Sequence, residues 1–216
     1  MKSAKKKADS PTVGCTDLKA YLKSSEYIDF NHPAVLKKAA DLANGLKNDI
    51  EIAEACFYFV RDSIKHSWDY RLNPVTCKAS EGLLCGTGYC YSKSHLLAAL
   101  LRVNGIPSGL CYQRLVLDIN ISNLRFCLHG FNAVYLKKYG WYSIDARGNK
   151  PGVDAGFCPP VPKLAFKVLY AGEMNLDGIL AEPLSSVIKV LTKNKTIEQV
   201  YENLPDIEQV LIINKL

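Results

Sequence analysis

Residues 86–107, GTGYCYSKSHLLAALLRVNGIP, carry the strongest structural pattern in the chain. Gly86-Thr87-Gly88 indicates a loop, and from Cys90 onward a polar first turn leads into an apolar body over Leu96–Leu101. Gly105 is typical of a helix end. A helix that is apolar on nearly all sides is buried, so we predict a core helix whose N-terminus approaches the surface at the glycine loop.

Beyond this helix the hydrophobic period changes from 3.6 residues to 2, which indicates strands. The predicted strands are Leu110–Leu117, His129–Leu136 and Trp141–Asp145, with an irregular connection over Asp118–Cys127 and a last short strand over Val210–Ile213. The predicted helices on either side are Asp17–Ser24, Pro33–Leu46, a helix capped by Asn48 that runs to Ile64, Lys78–Leu84, Leu184–Thr192 and Thr196–Asn203. This order predicts an α+β fold, in which the buried helix packs on an antiparallel sheet between N- and C-terminal helices.

The composition is that of one globular domain. With 216 residues, 48% hydrophobic and 22% charged, the chain can bury a core without disulfides. Four of the positive charges behind the net +6 are Lys2, Lys5, Lys6 and Lys7, so residues 8–216 carry about +2. We therefore expect a disordered basic tail over 1–16, a single domain over 17–216, and no nucleic-acid partner.

Segments that would place the chain in or across a membrane are missing from the sequence. No apolar run approaches the roughly 18 residues that span a bilayer. Met1–Lys7 is not followed by the apolar core of a secretory signal, so we expect a cytoplasmic protein without a membrane partner. In that compartment the eight cysteines should be free thiols, most of them buried. Because no C-x-x-C motif occurs, we expect neither a metal nor a cofactor.

Cys90 differs from the other cysteines because it lies in the first turn of the predicted core helix. The unpaired N–H groups and the positive end of the helix dipole favour an anion at this place. A thiolate nucleophile is therefore one interpretation of Cys90, and the same N–H groups could hold an oxyanion. An ordinary buried cysteine at a helix start is the other interpretation.

A thiol nucleophile needs a base, for which the chain offers four histidines. His95 follows Cys90 by five residues and projects about 140° away from it around the helix. Two others are expected at the surface: His32 and His66. His129 begins a predicted strand beside Gly130, whose missing side chain leaves room for a substrate or a partner side chain. His129 is the candidate base, and a satisfied histidine at a strand edge is the alternative.

The candidate to orient this imidazole is Asp145, a carboxylate at the end of an apolar strand. Asp118 and Asp154 are alternatives in predicted loops. A tight turn with Leu136 opposite Trp141 would put His129 and Asp145 on opposite faces. A three-residue turn with Leu136 opposite Gly140, or a single bulge, would put them diagonally on one face.

The residues around Cys90 resemble the nucleophile helix of the transglutaminase-like superfamily, through Gly88–Ser94, Leu96–Leu101 and Gly105-Ile106-Pro107. His129 with its strand and the stretch Asp145–Asn149 resemble the histidine and aspartate motifs of that family. They come in the family's order, with spacings of 39 and 16 residues. The resemblance covers roughly residues 48–160 and implies a papain-like core.

The resemblance implies a thiol-dependent acyl transfer. Cys90 would attack an amide carbonyl, His129 would relay the proton, and Asp145 would hold the imidazole, so that a thioester acyl-enzyme forms. We expect hydrolysis of a peptide, isopeptide or side-chain amide bond in a protein or peptide substrate. The alternatives are a protein-glutamine γ-glutamyltransferase that cross-links or transfers amines, and a catalytically silent binding module of the same fold.

Two departures from the related families leave part of the site open. The acidic calcium loop of the large animal transglutaminases is missing, and Leu84 stands where papain-like proteases carry an oxyanion-binding Gln. A second oxyanion donor is therefore unassigned. The candidates for oxyanion or substrate binding are Trp68, through its indole N–H, and Tyr70. The other interpretation is that both are aromatic residues of the core.

Overall fold

Several helices of the protein pack against one central helix. The computed structural model describes residues 17–120 and 123–209; the predicted tail over 1–16 and the predicted strand over Val210–Ile213 lie outside the described residues. After a 3-10 helix over Leu18–Leu22, the α-helices are α1 (Pro33–Ala43), α2 (Asp49–Tyr58), α3 (Ser67–Tyr70), α4 (Ala79–Cys85), α5 (Cys90–Val103), α6 (Ser185–Lys193) and α7 (Ile197–Glu202). Every residue of α5 from Cys90 to Arg102 is buried, which confirms the predicted core helix.

The prediction of a helix from Asn48 to Ile64 is correct at its start, but the observed helix changes form near its end. Asn48 accepts a hydrogen bond from the Glu51 N–H at 3.0 Å and so caps α2. From Phe59 to Ser63 the helix widens into a π-helical turn, after which the chain becomes extended. Such a turn leaves carbonyl groups that a neighbouring side chain can bind.

The strands form two sheets. Their bounds are β1 (Lys65–His66), β2 (Thr87–Gly88), β3 (Ser108–Asn120), β4 (Asn123–Leu136), β5 (Gly140–Ile144) and β6 (Met174–Asn175). β1 and β2 pair in parallel, with His66 opposite Gly88. The other four strands form an antiparallel sheet in the order β5-β4-β3-β6, and α5 packs against β3 and β4. This arrangement confirms the predicted α+β fold with a buried helix on an antiparallel sheet.

The connection predicted to be irregular over Asp118–Cys127 is instead part of a long β3–β4 hairpin. Pairing continues from Val116 opposite Phe126 to Asn120 opposite Asn123. A register shift between Val116 and Asp118 interrupts the alternation of apolar and polar residues on which the prediction depended. Little of the protein packs against this end of the hairpin, since Leu124 is 47% exposed. Apolar and polar residues therefore need not alternate along the strands here.

The described part of the chain contains no helix with both the length and the apolar character needed to cross a bilayer.

Candidate active site

Cys90 is the first residue of α5 and lies two residues after the end of β2. The residue is 7% exposed, so only a small part of it reaches the surface. Tyr89 occupies the N-cap position, and no side chain caps the first turn of α5. The N–H groups of that turn are therefore available to an anionic group next to the Cys90 thiol.

His129 and Asp145 form a buried hydrogen-bonded pair. The distance between His129 Nε2 and Asp145 Oδ2 is 2.7 Å. The backbone N–H of Ala165 also donates to Oδ2, at 3.0 Å, and that of Arg147 donates to Oδ1, at 3.1 Å. Burial alone would raise the pKa of Asp145, but His129 and these two amides lower it below its usual range. The carboxylate is therefore ionised and fixed in orientation.

The thiol of Cys90 lies on the other side of the imidazole. Burial alone would lower the pKa of His129, but the Asp145 carboxylate and the Cys90 side chain together raise it to about 10. Because Asp145 holds Nε2, Nδ1 is the ring nitrogen left for the thiol. The backbone N–H of Gly130 donates to Cys90 Sγ at 3.4 Å. The three side chains thus form a continuous Cys90–His129–Asp145 arrangement.

The turn between β4 and β5 places His129 and Asp145 on one face. Leu136 lies opposite Gly140 and Asn132 lies opposite Ile144, which is the register of the three-residue turn considered above. Gly140 adopts φ +74°, a left-handed conformation that glycine reaches without strain. Asp145 follows Ile144 and so comes diagonal to His129. Of the two alternative carboxylates, Asp154 binds Lys163 at the surface, and the side chain of Asp118 is not among those that the structure describes.

Gly130 permits the close approach of β4 to the start of α5. A Cβ atom at this position would lie 2.9 Å from Tyr91 Cδ1. The Tyr91 ring is buried and its hydroxyl donates to the Leu128 carbonyl at 2.5 Å, so the ring cannot move aside. The partner that needs the space at Gly130 is therefore Tyr91.

Cys90 and His129 open into a cleft of about 970 Å³. One wall is formed by the segment 162–170, whose Phe166 ring meets the His129 ring edge-on at a centroid distance of 4.9 Å. Another wall comes from Tyr201 in α7 and from Leu204 after it. Much of the lining is apolar: Leu115, Leu128, Leu164, Phe166, Val168 and Leu204.

The two predicted oxyanion candidates occupy different places. Trp68 lines the cleft, and its ring stacks on Tyr201 at a centroid distance of 3.8 Å. Tyr70 is 54% exposed, does not line this cleft and packs against Lys65 instead. Leu84, at the position of the papain-family Gln, is 65% exposed.

The prediction that His66 lies at the surface is wrong. His66 is buried and lines the same cleft as Cys90 and His129. The sequence places His66 just past the end of the helix predicted to reach Ile64, whereas in the structure the helical turn ends at Ser63 and His66 belongs to β1. Two-residue strands such as β1 and β2 are too short to produce a periodic pattern, so no signal in the sequence could have located His66 here.

The remaining histidines do not reach the cleft. His32 caps α1, where its Nδ1 accepts a hydrogen bond from the Ala34 N–H at 3.2 Å. His95 is buried, and its Nδ1 lies 2.7 Å from the Cys77 carbonyl oxygen. Among the residues that the structure describes, no group of three or more His, Cys, Asp or Glu side chains is arranged to hold a metal ion.

Residues 37–146, about half of the chain, match the family model of the transglutaminase-like superfamily. No match was found among curated proteins. The solved structures that are similar include a Cytophaga hutchinsonii protein described as a candidate cysteine protease, with 19% identity and a TM-score of 0.48 over 62% of this chain and 43% of that one. They also include the periplasmic domain of TgpA from Pseudomonas aeruginosa, with 18% identity and a TM-score of 0.46 over 62% of this chain and 48% of that one. The chain thus spans less than half of the length of these two structures.

Proposed function

Since the chain belongs to the transglutaminase-like superfamily, we propose that it is a thiol-dependent acyl-transfer enzyme with Cys90, His129 and Asp145 as its catalytic triad. The observation that carries the proposal is the hydrogen bond of 2.7 Å between His129 and the fully buried Asp145, next to a thiol at an uncapped helix N-terminus. Catalysis by an activated thiol uses this spatial order, in which a buried carboxylate orients an imidazole and the imidazole acts on the thiol.

In the first step the Cys90 thiolate attacks the carbonyl carbon of an amide. The new S–C bond forms while the carbonyl electron pair moves to oxygen, and the N–H groups at the start of α5 stabilise that oxyanion. The intermediate then collapses and breaks the C–N bond. His129 gives its proton to the departing nitrogen, which leaves a thioester on Cys90.

In the second step water attacks the thioester. A C–O bond forms as His129 takes one proton from the water, and the S–C bond then breaks. The acid product leaves, and the Cys90 thiolate remains beside the protonated His129. Asp145 accepts the hydrogen bond from Nε2 throughout, so it keeps the imidazole oriented and stabilises its protonated form. The raised pKa of His129 is consistent with an imidazole that carries a proton before the substrate binds.

We propose that the substrate is a peptide, isopeptide or side-chain amide bond in a protein or peptide. A cleft of about 970 Å³ has room for several residues of such a chain, and its apolar walls suit uncharged side chains. Transfer to an amine in place of water is the competing outcome. A cytoplasmic location and a single domain over residues 17–216 remain predictions.

The first experiment tests the thiol. We expect iodoacetamide at pH 6 to alkylate Cys90 faster than Cys85 and Cys158, which are the exposed cysteines within the described residues, as measured by peptide mass spectrometry. Cys90→Ala should lose all turnover of a thiol-reactive acyl donor such as p-nitrophenyl acetate and stay folded, since alanine favours helices. Cys85→Ala, which removes an exposed thiol at the end of α4, is the matched control and should keep its activity.

Two results would contradict the proposal. One is full turnover by folded Cys90→Ala, and the other is alkylation of Cys90 no faster than that of Cys85. A glutamine peptide with a labelled primary amine then separates hydrolysis from transfer. Incorporation of the amine in excess of hydrolysis would replace the proposed hydrolase with a transferase.

A further inference from the structure

The cleft contains a second histidine that the proposed mechanism does not use. His66 lines the cleft together with Cys90 and His129, and its side chain is 7% exposed. β1 places it there, because His66 pairs with Gly88 and Cys90 follows Gly88 by two residues. The His66 ring also packs edge-on against the Tyr89 ring, at a centroid distance of 5.6 Å. The imidazole is therefore held beside the start of α5.

An ion-pair network fixes the inner side of this ring. His66 Nδ1 lies 3.6 Å from Asp69 Oδ2 and has no hydrogen-bond partner. Asp69 is already occupied, since Arg147 donates to both of its oxygens at 2.7 and 3.1 Å and Lys150 donates at 2.6 Å. Arg147 also connects this network to the triad, because its backbone N–H binds Asp145. The position of His66 is thus coupled to that of the catalytic carboxylate.

The surroundings of His66 set its charge and leave one ring nitrogen for the cleft. Burial, and after it the Arg147 guanidinium, lower the pKa of His66 well below its usual range, so the ring is neutral. A neutral imidazole carries one N–H. Nδ1 lies on the side of the Asp69 carboxylate, 3.6 Å from Oδ2 and without a hydrogen bond, so Nε2 is the nitrogen left for the cleft.

We propose that His66 is a catalytic residue whose Nε2–H donates a hydrogen bond to the substrate carbonyl oxygen as that oxygen becomes an oxyanion. This inference rests on the proposed acyl transfer and supplies the second oxyanion donor. When the Cys90 thiolate attacks, the carbonyl electron pair moves to oxygen, and His66 and the N–H groups of α5 bind that oxygen together. The His66 proton is shared and not transferred, and it stays on Nε2 when the C–N bond breaks.

The test compares two substitutions that differ in one property. His66→Phe keeps a ring of similar size but has no donor, whereas His66→Gln keeps an amide N–H donor. With p-nitrophenyl acetate as the probe, we expect His66→Phe to lower kcat by about 10²- to 10³-fold and His66→Gln to lower it by less than about tenfold. The rate of Cys90 alkylation by iodoacetamide should change less than about twofold in both variants, because alkylation forms no oxyanion.

Several results would overturn the role of His66. They are an unchanged kcat in His66→Phe, an equal loss in His66→Phe and His66→Gln, and a fall in the alkylation rate that parallels the fall in kcat. A large loss in Trp68→Phe without one in His66→Phe would assign the donor to Trp68. Failure of the proposed function is distinct from all of these, because it would show in the wild-type protein as an unreactive Cys90 and no turnover.

Discussion

The replacement of Gly130 by alanine should displace the Cys90 thiol from the His129 imidazole. The added Cβ atom would lie 2.9 Å from Tyr91 Cδ1, and two backbone atoms of Tyr91 would follow at 3.5 and 3.6 Å. Carbon atoms in favourable contact are ~3.5–4.0 Å apart, so β4 and the start of α5 would have to separate by about 0.6 Å. Tyr91 cannot relieve the clash alone, since its hydroxyl is bound to Leu128.

This separation has two measurable effects of known size. Overpacking of a well-packed core costs about 1–3 kcal/mol of unfolding free energy. A misplacement of ~1 Å in an active site can lower the rate about 10²-fold, so a shift of about 0.6 Å should lower it about tenfold. The rate is affected because the Gly130 N–H donates to Cys90 Sγ and His129 is the adjacent residue, so the moving strand carries the groups that face the thiol.

The assay combines urea unfolding with p-nitrophenyl acetate turnover at pH 7. Gly109→Ala is the matched control, because its Cβ would lie 2.2 Å from Ile179 Cγ2 in a separate apolar cluster. We expect both variants to be destabilised and only Gly130→Ala to lose activity beyond its loss of folded protein. If Gly130→Ala unfolds and turns over like the wild-type protein, the close contact between Gly130 and Tyr91 does not position the thiol.

Two further predictions concern carboxylates. Asp145→Asn should keep the β4–β5 pairing, seen as an unchanged circular dichroism spectrum. It should lower kcat for p-nitrophenyl acetate about 10²- to 10⁴-fold, because the His129 imidazolium loses its anionic partner. A change in kcat below twofold would exclude Asp145 as the residue that supports the imidazole. The second carboxylate is Asp69. Burial alone would raise its pKa, but hydrogen bonds from Arg147 and Lys150 lower the pKa of Asp69 from an ordinary 3.8 to about 2. The ionised Asp69 therefore stabilises the fold above pH ~3.8, and this stabilisation is lost as the pH falls toward ~2. The difference in urea midpoint between the wild-type protein and Asp69→Asn should shrink over that range. A difference that stays constant would contradict the ion-pair network.

The central helix and its place in the core could be predicted because its composition allows no other environment. An apolar body over Leu96–Leu101 has no polar face to turn toward water, whatever the rest of the chain does. The placement of Asp145 could be predicted only as one of two outcomes. The register depends on whether Leu136 lies opposite Gly140 or Trp141, and a change of one residue moves every later side chain to the other face.

The surroundings of His66 could not be predicted because they join distant parts of the chain. Asp69 and Arg147 are 78 residues apart, and their ion pair follows from the packing of α3 against the loop after β5. Lys93 is a similar case. Its position suggested a polar first turn near the surface, yet the side chain is fully buried and donates to the Ile64 carbonyl and, at 3.3 Å, to the Arg61 carbonyl. Those acceptors exist because the π-helical turn exposes them, and periodicity does not report such a turn.

The walls of the cleft have a consequence for how this protein can diverge from its relatives. The proposed catalytic residues lie within residues 37–146, the part that the superfamily shares, whereas the wall segment 162–170 and the wall residues Tyr201 and Leu204 lie after it. The segment 162–170 also contacts the proposed triad, because the Ala165 N–H donates to Asp145 and the Phe166 ring packs on His129. We therefore expect an exchange of this segment between relatives to change substrate selectivity and the orientation of the His129–Asp145 pair together, so that new specificity and catalytic geometry cannot be engineered independently there.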